Sequence, residues 1–129
     1  MNPLVKYPRT SDTPTSHLPF SPAVQVGDLI FVSGQASVDA TGKIISDTFE
    51  NEFRRSIENL RKILEACGSD LKHVVQTRNY IREASNLGRY NELYREYFSA
   101  PFPARTTITY CLTEALHYEI DCVAVVKQS

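Results

Sequence analysis

Apolar residues that recur every three or four positions predict two helices. The first stripe runs from Phe53 to Cys67 and ends at Gly68, the residue type that favours a left-handed helix end. Asp47 is the predicted N-cap of this helix, with Glu50 three residues on as its capping-box partner. This pattern predicts an amphipathic helix packed on a core.

The second helical stripe covers Leu87–Phe98, with Ser85 or Asn86 as the predicted N-cap. Pro101 and Pro103 follow it, and proline cannot continue a helix. The tyrosines of this stripe are interpreted as helix core rather than as a binding cage: Tyr90, Tyr94 and Tyr97.

Runs of alternating or β-branched apolar residues predict strands around these helices. Two runs surround Gly27–Asp28, a turn signal, and predict a hairpin. The predicted strands are Leu4–Tyr7, Ala23–Val26, Leu29–Ser33, Val74–Ile81, Arg105–Tyr110 and Tyr118–Val126. The order β-β-β-α-β-α-β-β predicts an α+β fold with both helices on one face of a sheet.

The last predicted strand is apolar on both of its sides. Tyr118, Ile120 and Cys122 alternate onto one side, and Val123 and Val125 onto the other. Such a strand is expected to be buried on both faces, whereas the two helices cover one. The sequence therefore predicts an oligomer that covers the open face of the sheet.

Length, composition and charge exclude several classes of protein. The 129 residues, 42% of them apolar, are typical of one globular domain, predicted to span residues 1–129. No segment approaches the roughly 18 apolar residues of a membrane span, and Met1–Lys6 lacks the features of a signal peptide. We therefore expect a cytoplasmic protein without membrane contact. A net charge of −1 without a basic stripe argues against nucleic-acid binding.

The cysteines and histidines show no spacing typical of a metal site or a hydrolytic triad. They are Cys67, Cys111 and Cys122, and His17, His73 and His117. Cys122 alternates onto the apolar side of its strand, so we expect it in the core.

Arg105 is a candidate anion-binding residue. It follows Pro103 and begins a predicted strand. A guanidinium group binds a carboxylate through two parallel hydrogen bonds, and a rigid start of the strand would hold it in place. The alternative is an exposed arginine on a strand edge without a function.

Glu119 and Asp121 lie on the same side of the last strand. Charged residues in an apolar strand are costly unless they are paired or used, and a carboxylate there could hold a water and transfer its proton. A solvent-facing polar row is the alternative. A direct hairpin of the last two strands would place Arg105 opposite Glu119, but one sequence does not show the order of strands in a sheet.

Several short motifs, in this order and spacing, resemble the RidA/YjgF family over about Phe20 to Val126. They are Ser33–Gln35, Ile57–Leu60, Ala66–Gly68, Tyr90–Tyr94 followed by Phe98, Pro103–Thr106 and Tyr118–Asp121. The resemblance implies a fold like Bacillus chorismate mutase, with a mixed six-stranded sheet and two helices on one face. It also implies a homotrimer with clefts between subunits, and a last strand that lies beside the third and fourth.

The activity that the resemblance implies is cofactor-free hydrolysis of 2-aminoacrylate-like enamines and imines to 2-keto acids and ammonia, as in a 2-iminobutanoate/2-iminopropanoate deaminase. It implies that Arg105 binds the substrate carboxylate, that Glu119 positions the attacking water, and that the Thr107 backbone helps to hold water or substrate. The implied substrate-binding residues are Phe20, Ser33, Gly34, Asn91, Arg105 and Thr107.

Three departures from the family pattern leave the substrate open. Phe20 replaces a frequent tyrosine, Thr106 replaces a smaller residue, and the segment Thr109–His117 is one residue short. An aminomuconate-like enamine is an alternative substrate, and a non-catalytic trimer that binds small carboxylates is an alternative function. The ribonuclease activity once attached to the family's name is disfavoured by the acidic balance and the lack of a catalytic histidine pair.

Overall fold

The computed structural model describes residues 4–9 and 16–128, and this part of the chain forms one six-stranded sheet with two α-helices. The strands are β1 (Val5–Lys6), β2 (Ala23–Val26), β3 (Leu29–Ala36), β4 (Val74–Ile81), β5 (Ala104–Thr109) and β6 (Tyr118–Val125). The helices are α1 (Phe49–Ala66) and α2 (Leu87–Tyr97), and short 3₁₀ turns cover Leu71–His73 and Ala84–Asn86. The predicted α+β order of elements is confirmed.

The last strand lies inside the sheet. The strand order is β1-β2-β3-β6-β4-β5, in which β4 and β5 are parallel and every other neighbouring pair is antiparallel. This position of β6, between the third and fourth strands, is the one that the family resemblance implied. Because β4 separates β5 from β6, no direct hairpin pairs Arg105 with Glu119.

The start of α1 corrects one prediction. The N-cap is Thr48 rather than Asp47, and the Thr48 hydroxyl accepts a hydrogen bond from the backbone N–H of Asn51. The Asp47 carboxylate instead accepts from the Thr48 N–H and the Asn51 side chain. Thr48 and Asp47 therefore both bind polar groups at the start of α1, and the helix begins one residue later than predicted. Its end is as predicted, since Gly68 has a φ of +78°.

One apolar core lies between the helices and the sheet. Every second residue of β6 enters it, so Tyr118, Ile120, Cys122 and Ala124 are buried. Helix α1 contributes Phe53, Ile57, Leu60 and Leu64, and helix α2 contributes Tyr90, Leu93 and Tyr94. Each fully buried large apolar side chain stabilises the fold by about 1.5–3 kcal/mol. This core confirms the helical stripes and the placement of Cys122.

The opposite face of the sheet carries exposed apolar side chains. Leu29 and Phe31 of β3 pair with Val125 and Val123 of β6 on this face, and they are 42% and 44% exposed. Ile108 of β5 is 44% exposed on the same face. Apolar side chains left exposed on a sheet face in this way are typical of a contact with another molecule. None of the helices in the described ranges is long and apolar enough to cross a membrane.

A buried polar network crosses the core below α2. The Tyr118 hydroxyl donates to the side-chain oxygen of Asn79 at 2.6 Å, and the Asn79 amide donates to Thr77 Oγ1 at 3.0 Å. Both Tyr118 and Asn79 are fully buried. A buried acceptor that loses its donor keeps its desolvation cost, so this hydrogen bond matters for stability.

We expect Tyr118→Phe to lower the free energy of unfolding by about 1–3 kcal/mol, because it leaves the Asn79 oxygen without its donor. The measurement is the urea midpoint at a fixed protein concentration. Tyr7→Phe is the control, since Tyr7 is 52% exposed. Equal midpoints for the two variants would contradict the network's role.

Candidate active site

The guanidinium group of Arg105 rests on two tyrosine rings. Its central carbon lies 4.8 Å from the ring centre of Tyr90 and 5.0 Å from that of Tyr94. One terminal nitrogen donates to the Asn91 side-chain oxygen at 2.9 Å. Contact with an aromatic face stabilises a cation and restricts its position. The Arg105 side chain is exposed, but these contacts fix its direction. It lines a cavity of about 230 Å³ together with Asn91.

The two tyrosines below Arg105 are themselves held by hydrogen bonds to two strands. The Tyr90 hydroxyl is 2.9 Å from Thr107 Oγ1 on β5, and the Tyr94 hydroxyl is 2.9 Å from Thr77 Oγ1 on β4. Burial raises the pKa of Tyr90 to about 12, so its hydroxyl stays protonated. Helix α2 is thereby locked against β5, and Arg105 is held at their junction.

The carboxylate of Glu119 lies on the other face of the sheet, against Gly34. Between Val32 and Gln35 the pairing of β3 with β6 shifts register by one residue, which makes a bulge at Ser33–Gly34. A Cβ on Gly34 would overlap Oε2 of Glu119. The glycine at this bulge therefore gives the carboxylate its space.

A second carboxylate influences the charge on Glu119. Burial raises the pKa of the Glu119 carboxyl, and the nearby charge of Asp121 raises it further. Asp121 is held by Arg78, whose Nε donates at 2.9 Å, and by the Tyr80 hydroxyl at 2.8 Å. Burial is therefore the main cause of the raised Glu119 pKa within one chain.

Phe20, Ser33 and Gly34 surround this carboxylate. Together with Glu119 and Asp121 they line an open cleft of about 420 Å³. The Ser33 hydroxyl donates to the Ser21 carbonyl at 2.6 Å, which ties β3 to the segment that carries Phe20. The family resemblance implies that Phe20, Ser33, Gly34 and Glu119 belong to one site, and the fold places these four residues around one cleft.

The two groups of candidate residues face away from each other within a chain. Arg105 and Thr107 pair with Thr77 and Asn79, whose buried side chains point to the helices. Glu119 lies on the face opposite to the buried Tyr118 and Ile120 of β6. Two half-sites result: a cationic half with Arg105, Asn91 and Thr107, and an acidic half with Phe20, Ser33, Gly34 and Glu119.

Sequence reasoning missed two features of these half-sites. Tyr90 and Tyr94 were interpreted as helix core; they are buried, at 1% and 3% exposure, and they also carry Arg105. Arg78 and Tyr80 were not singled out, because their contact with Asp121 depends on β4 pairing with β6. Once the strand order is known, the alternation of polar residues in β4 indicates that Arg78 and Tyr80 lie on the same face of the sheet as Asp121.

The remaining reactive residue types form no further centre in the described ranges. No group of three or more His, Cys, Asp or Glu residues there is arranged to hold a metal ion. Burial raises the pKa of the Cys122 thiol to about 12, and burial also raises that of Cys67. A thiol with a raised pKa is a poor nucleophile at neutral pH.

Replacing Asp121 by asparagine should lower the pKa of Glu119. The substitution removes the like charge that opposes ionisation, although burial continues to raise the pKa. The pKa is measured by a titration of the carboxyl carbons by NMR, with Asp28→Asn at an exposed turn as the control. An unchanged or higher pKa in Asp121→Asn would be inconsistent with this coupling.

Known proteins share both the sequence pattern and the fold. The family model described as Endoribonuclease L-PSP matches residues 10–126. A mouse protein named 2-iminobutanoate/2-iminopropanoate deaminase is 33% identical over 118 residues, which cover 90% of this chain and 87% of that protein.

Two solved structures show the same fold. The crystal structure of RidA from the Antarctic bacterium Psychrobacter has a TM-score of 0.85 at 27% identity, with 94% of this chain and 99% of that chain covered. E. coli TdcF with bound serine has a TM-score of 0.83 at 28% identity, with 95% and 99% covered. Because the family model matches most of the chain and the fold is shared, this chain belongs to the RidA/YjgF family.

Proposed function

We propose that this protein hydrolyses reactive enamines and imines of 2-amino acids to 2-keto acids and ammonia. The observation that carries the proposal is the fixed guanidinium group of Arg105, which rests on Tyr90 and Tyr94 and is bonded to Asn91. The names of relatives as imine deaminases, at about one third identity, support the same class of reaction.

The cationic half-site is suited to the carboxylate that every such substrate carries. A guanidinium fork offers two parallel N–H donors, and its planar charge matches the plane of a carboxylate. Because the tyrosine rings and Asn91 already hold Arg105, little side-chain freedom is lost on binding. The substrate carboxylate would therefore set the position of the adjacent imine carbon.

The acidic half-site is suited to the transfer of protons. Glu119 takes a proton from a water molecule as the water oxygen bonds to the imine carbon, and the electron pair of the C=N bond moves to nitrogen. Glu119 then returns the proton to that nitrogen, which gives a carbinolamine. Glu119 next transfers the remaining hydroxyl proton to the amino nitrogen, so that the C–N bond breaks with its electron pair on nitrogen, ammonia leaves and the C=O bond forms. An enamine enters after a proton is added at its β-carbon.

The raised pKa that Glu119 has in the single chain fits both roles. A carboxyl whose pKa lies nearer to neutral accepts and returns a proton with a smaller energetic penalty than a fully solvated one. No further machinery is required by the chemistry, since the imine is already reactive and a placed water supplies the nucleophile. The proposal accordingly needs neither metal nor cofactor.

The complete site is proposed to form between copies of the chain. Arg105 and Glu119 lie on opposite faces of one sheet, so a second copy must bring its cationic half to the acidic half of the first. The exposed apolar face of β3 and β6 provides the contact surface. A closed ring of three copies, as in the homotrimer that the family resemblance implies, gives three identical sites.

Non-catalytic binding of small carboxylates is the second candidate function. Phe20 favours it, because this residue lines the acidic half without a hydroxyl to offer to a reacting group. The two candidates agree on Arg105 and differ on turnover, so kinetics distinguishes them.

We expect Arg105→Ala to lower kcat/KM for enzymatically generated 2-aminoacrylate by about 100-fold or more, since each charge-assisted hydrogen bond contributes about 1.5–3 kcal/mol. Most of this loss should appear as a higher KM, because the carboxylate is bound in both the ground and transition states. Glu119→Gln should lower kcat instead. Keto-acid and ammonia release are the measured quantities.

Arg61→Ala, on the surface of α1, is the matched control and should retain wild-type kinetics. If the wild-type protein releases ammonia no faster than Arg105→Ala, it is not a deaminase of this substrate. Retained binding of a keto acid in that case would favour the binding protein.

A further inference from the structure

A second cavity adjoins the cleft at Glu119. It has a volume of about 340 Å³ and shares Phe20, Gly34 and Glu119 with the open cleft. The open cleft is polar beyond these residues, with Ser33, Arg78 and Asp121 in its wall. Glu119 therefore stands at the boundary between a polar space and a second space of different character.

The second cavity is mainly apolar. Its described walls include Leu18, Phe20, Ala36, Val38, Ile44 and Leu116. Its volume lies at the lower end of the range for small-molecule sites, which are typically about 300–1,000 Å³ and mostly apolar. Such a space fits one apolar group rather than a whole polar metabolite.

One wall of this cavity is held rigid by a hydrogen-bonded turn. A single carboxylate oxygen of Asp39 accepts from the backbone N–H groups of Thr41 and Lys43 at 2.9 and 3.1 Å, and from the Thr41 hydroxyl at 2.7 Å. Val38 and Ile44 face each other across the turn as an isolated bridge. The turn fixes the Ile44 side of the cavity before any ligand binds.

The part of the wall that contains Leu116 is held by a buried carboxylate. Glu52 is fully buried, and its two oxygens accept from the backbone N–H and the ring Nδ1 of His117 at 2.7 and 2.9 Å. These bonds hold the segment that contains Leu116 against helix α1. The cavity is thus a preformed feature with two fixed walls.

Its apolar lining is unusually exposed for side chains next to a core. Leu18 is 59% exposed, Phe20 is 47% exposed and Ile44 is 41% exposed. None of them belongs to the main core cluster. Apolar surface left open at a concave site is typical of a place that an apolar ligand group covers.

We propose that this cavity binds the side chain of the substrate, and that the preferred substrates are 2-imino acids with large apolar side chains, of the size of those derived from leucine or phenylalanine. This inference rests on the proposed deaminase function. With the imine carbon at Glu119 and the carboxylate at Arg105 of a neighbouring copy, the side chain enters the adjoining apolar cavity.

The charges at the site disfavour an acidic side chain. Glu119 stands at the entrance and repels a second carboxylate. Arg78 is already compensated by Asp121, with the two groups 2.9 Å apart. Arg9 also lines the cavity and is the basic group among its described lining residues, but it is exposed, so that solvent weakens its attraction for a carboxylate. An acidic substrate therefore serves as a direct comparison in the test.

The test compares imines generated in the assay by an amino acid oxidase from alanine, leucine, phenylalanine and glutamate. Semicarbazide traps the imine that remains, so less trapped product reports faster hydrolysis. We expect kcat/KM for the leucine-derived imine to exceed that for the alanine-derived imine at least about tenfold. A single methylene group in an apolar pocket already has an effect of about this size, and the leucine side chain is larger than that of alanine by more than one such group. The glutamate-derived imine should be the poorest substrate.

A variant that fills the cavity tests its location. Ile44→Trp should reduce the ratio of the leucine-derived to the alanine-derived kcat/KM by about tenfold. Glu65→Trp introduces the same ring at an exposed position of α1 and should keep the wild-type ratio. Size-exclusion chromatography of both variants reports whether the assembly is intact.

The outcomes separate this inference from the proposed function. Hydrolysis of the alanine- or glutamate-derived imine as the best substrate overturns the inference and leaves the deaminase in place. An unchanged ratio in Ile44→Trp with the assembly intact also overturns it, because the substrate side chain then does not enter this cavity. Loss of the assembly in Ile44→Trp overturns it as well, because the cavity is then a subunit contact. Failure to hydrolyse any of the four imines removes the proposed function itself.

Discussion

The pairing of β6 between β3 and β4 is the constraint on which the rest of the structure depends. It sends Tyr118 and Ile120 into the core and turns Glu119 and Asp121 to the other face. Because side chains alternate along a strand, a register slip of one residue would exchange these sets. The buried hydrogen bond from Tyr118 to Asn79 and the bulge at Ser33–Gly34 fix the register from both neighbours.

The core that stabilises the fold also fixes the position of the Arg105 guanidinium group. Tyr90 and Tyr94 are buried between α2 and the sheet, yet one face of each ring supports Arg105. Their hydroxyls reach Thr107 and Thr77, so the position of the guanidinium is coupled to the packing of α2 on β4 and β5. The buried core therefore fixes the position of Arg105 in the proposed site.

Local sequence patterns were sufficient to predict the helices and strands, but they did not predict contacts between distant residues. The stripe of α1 follows from the spacing of apolar residues, and its end at Gly68 and the strand at Val74–Ile81 follow from residue type. The N-cap was misassigned because Asp47 and Thr48 are both cap-forming residues, and the choice depends on backbone geometry. The seat of Arg105 joins residues 11–15 positions apart on different elements, and nothing in the local pattern reports such a contact.

The arrangement of two half-sites on opposite faces leads to one central claim, that Arg105 of one copy works with Glu119 of another. Mixing Arg105→Ala with Glu119→Gln, each inactive alone, tests it after subunit exchange. Random closed trimers would regain roughly one quarter of the wild-type sites, so activity should return to about that level. If the mixture stays as inactive as its components while mixed trimers form, the two residues do not share a site between copies, and the account is wrong.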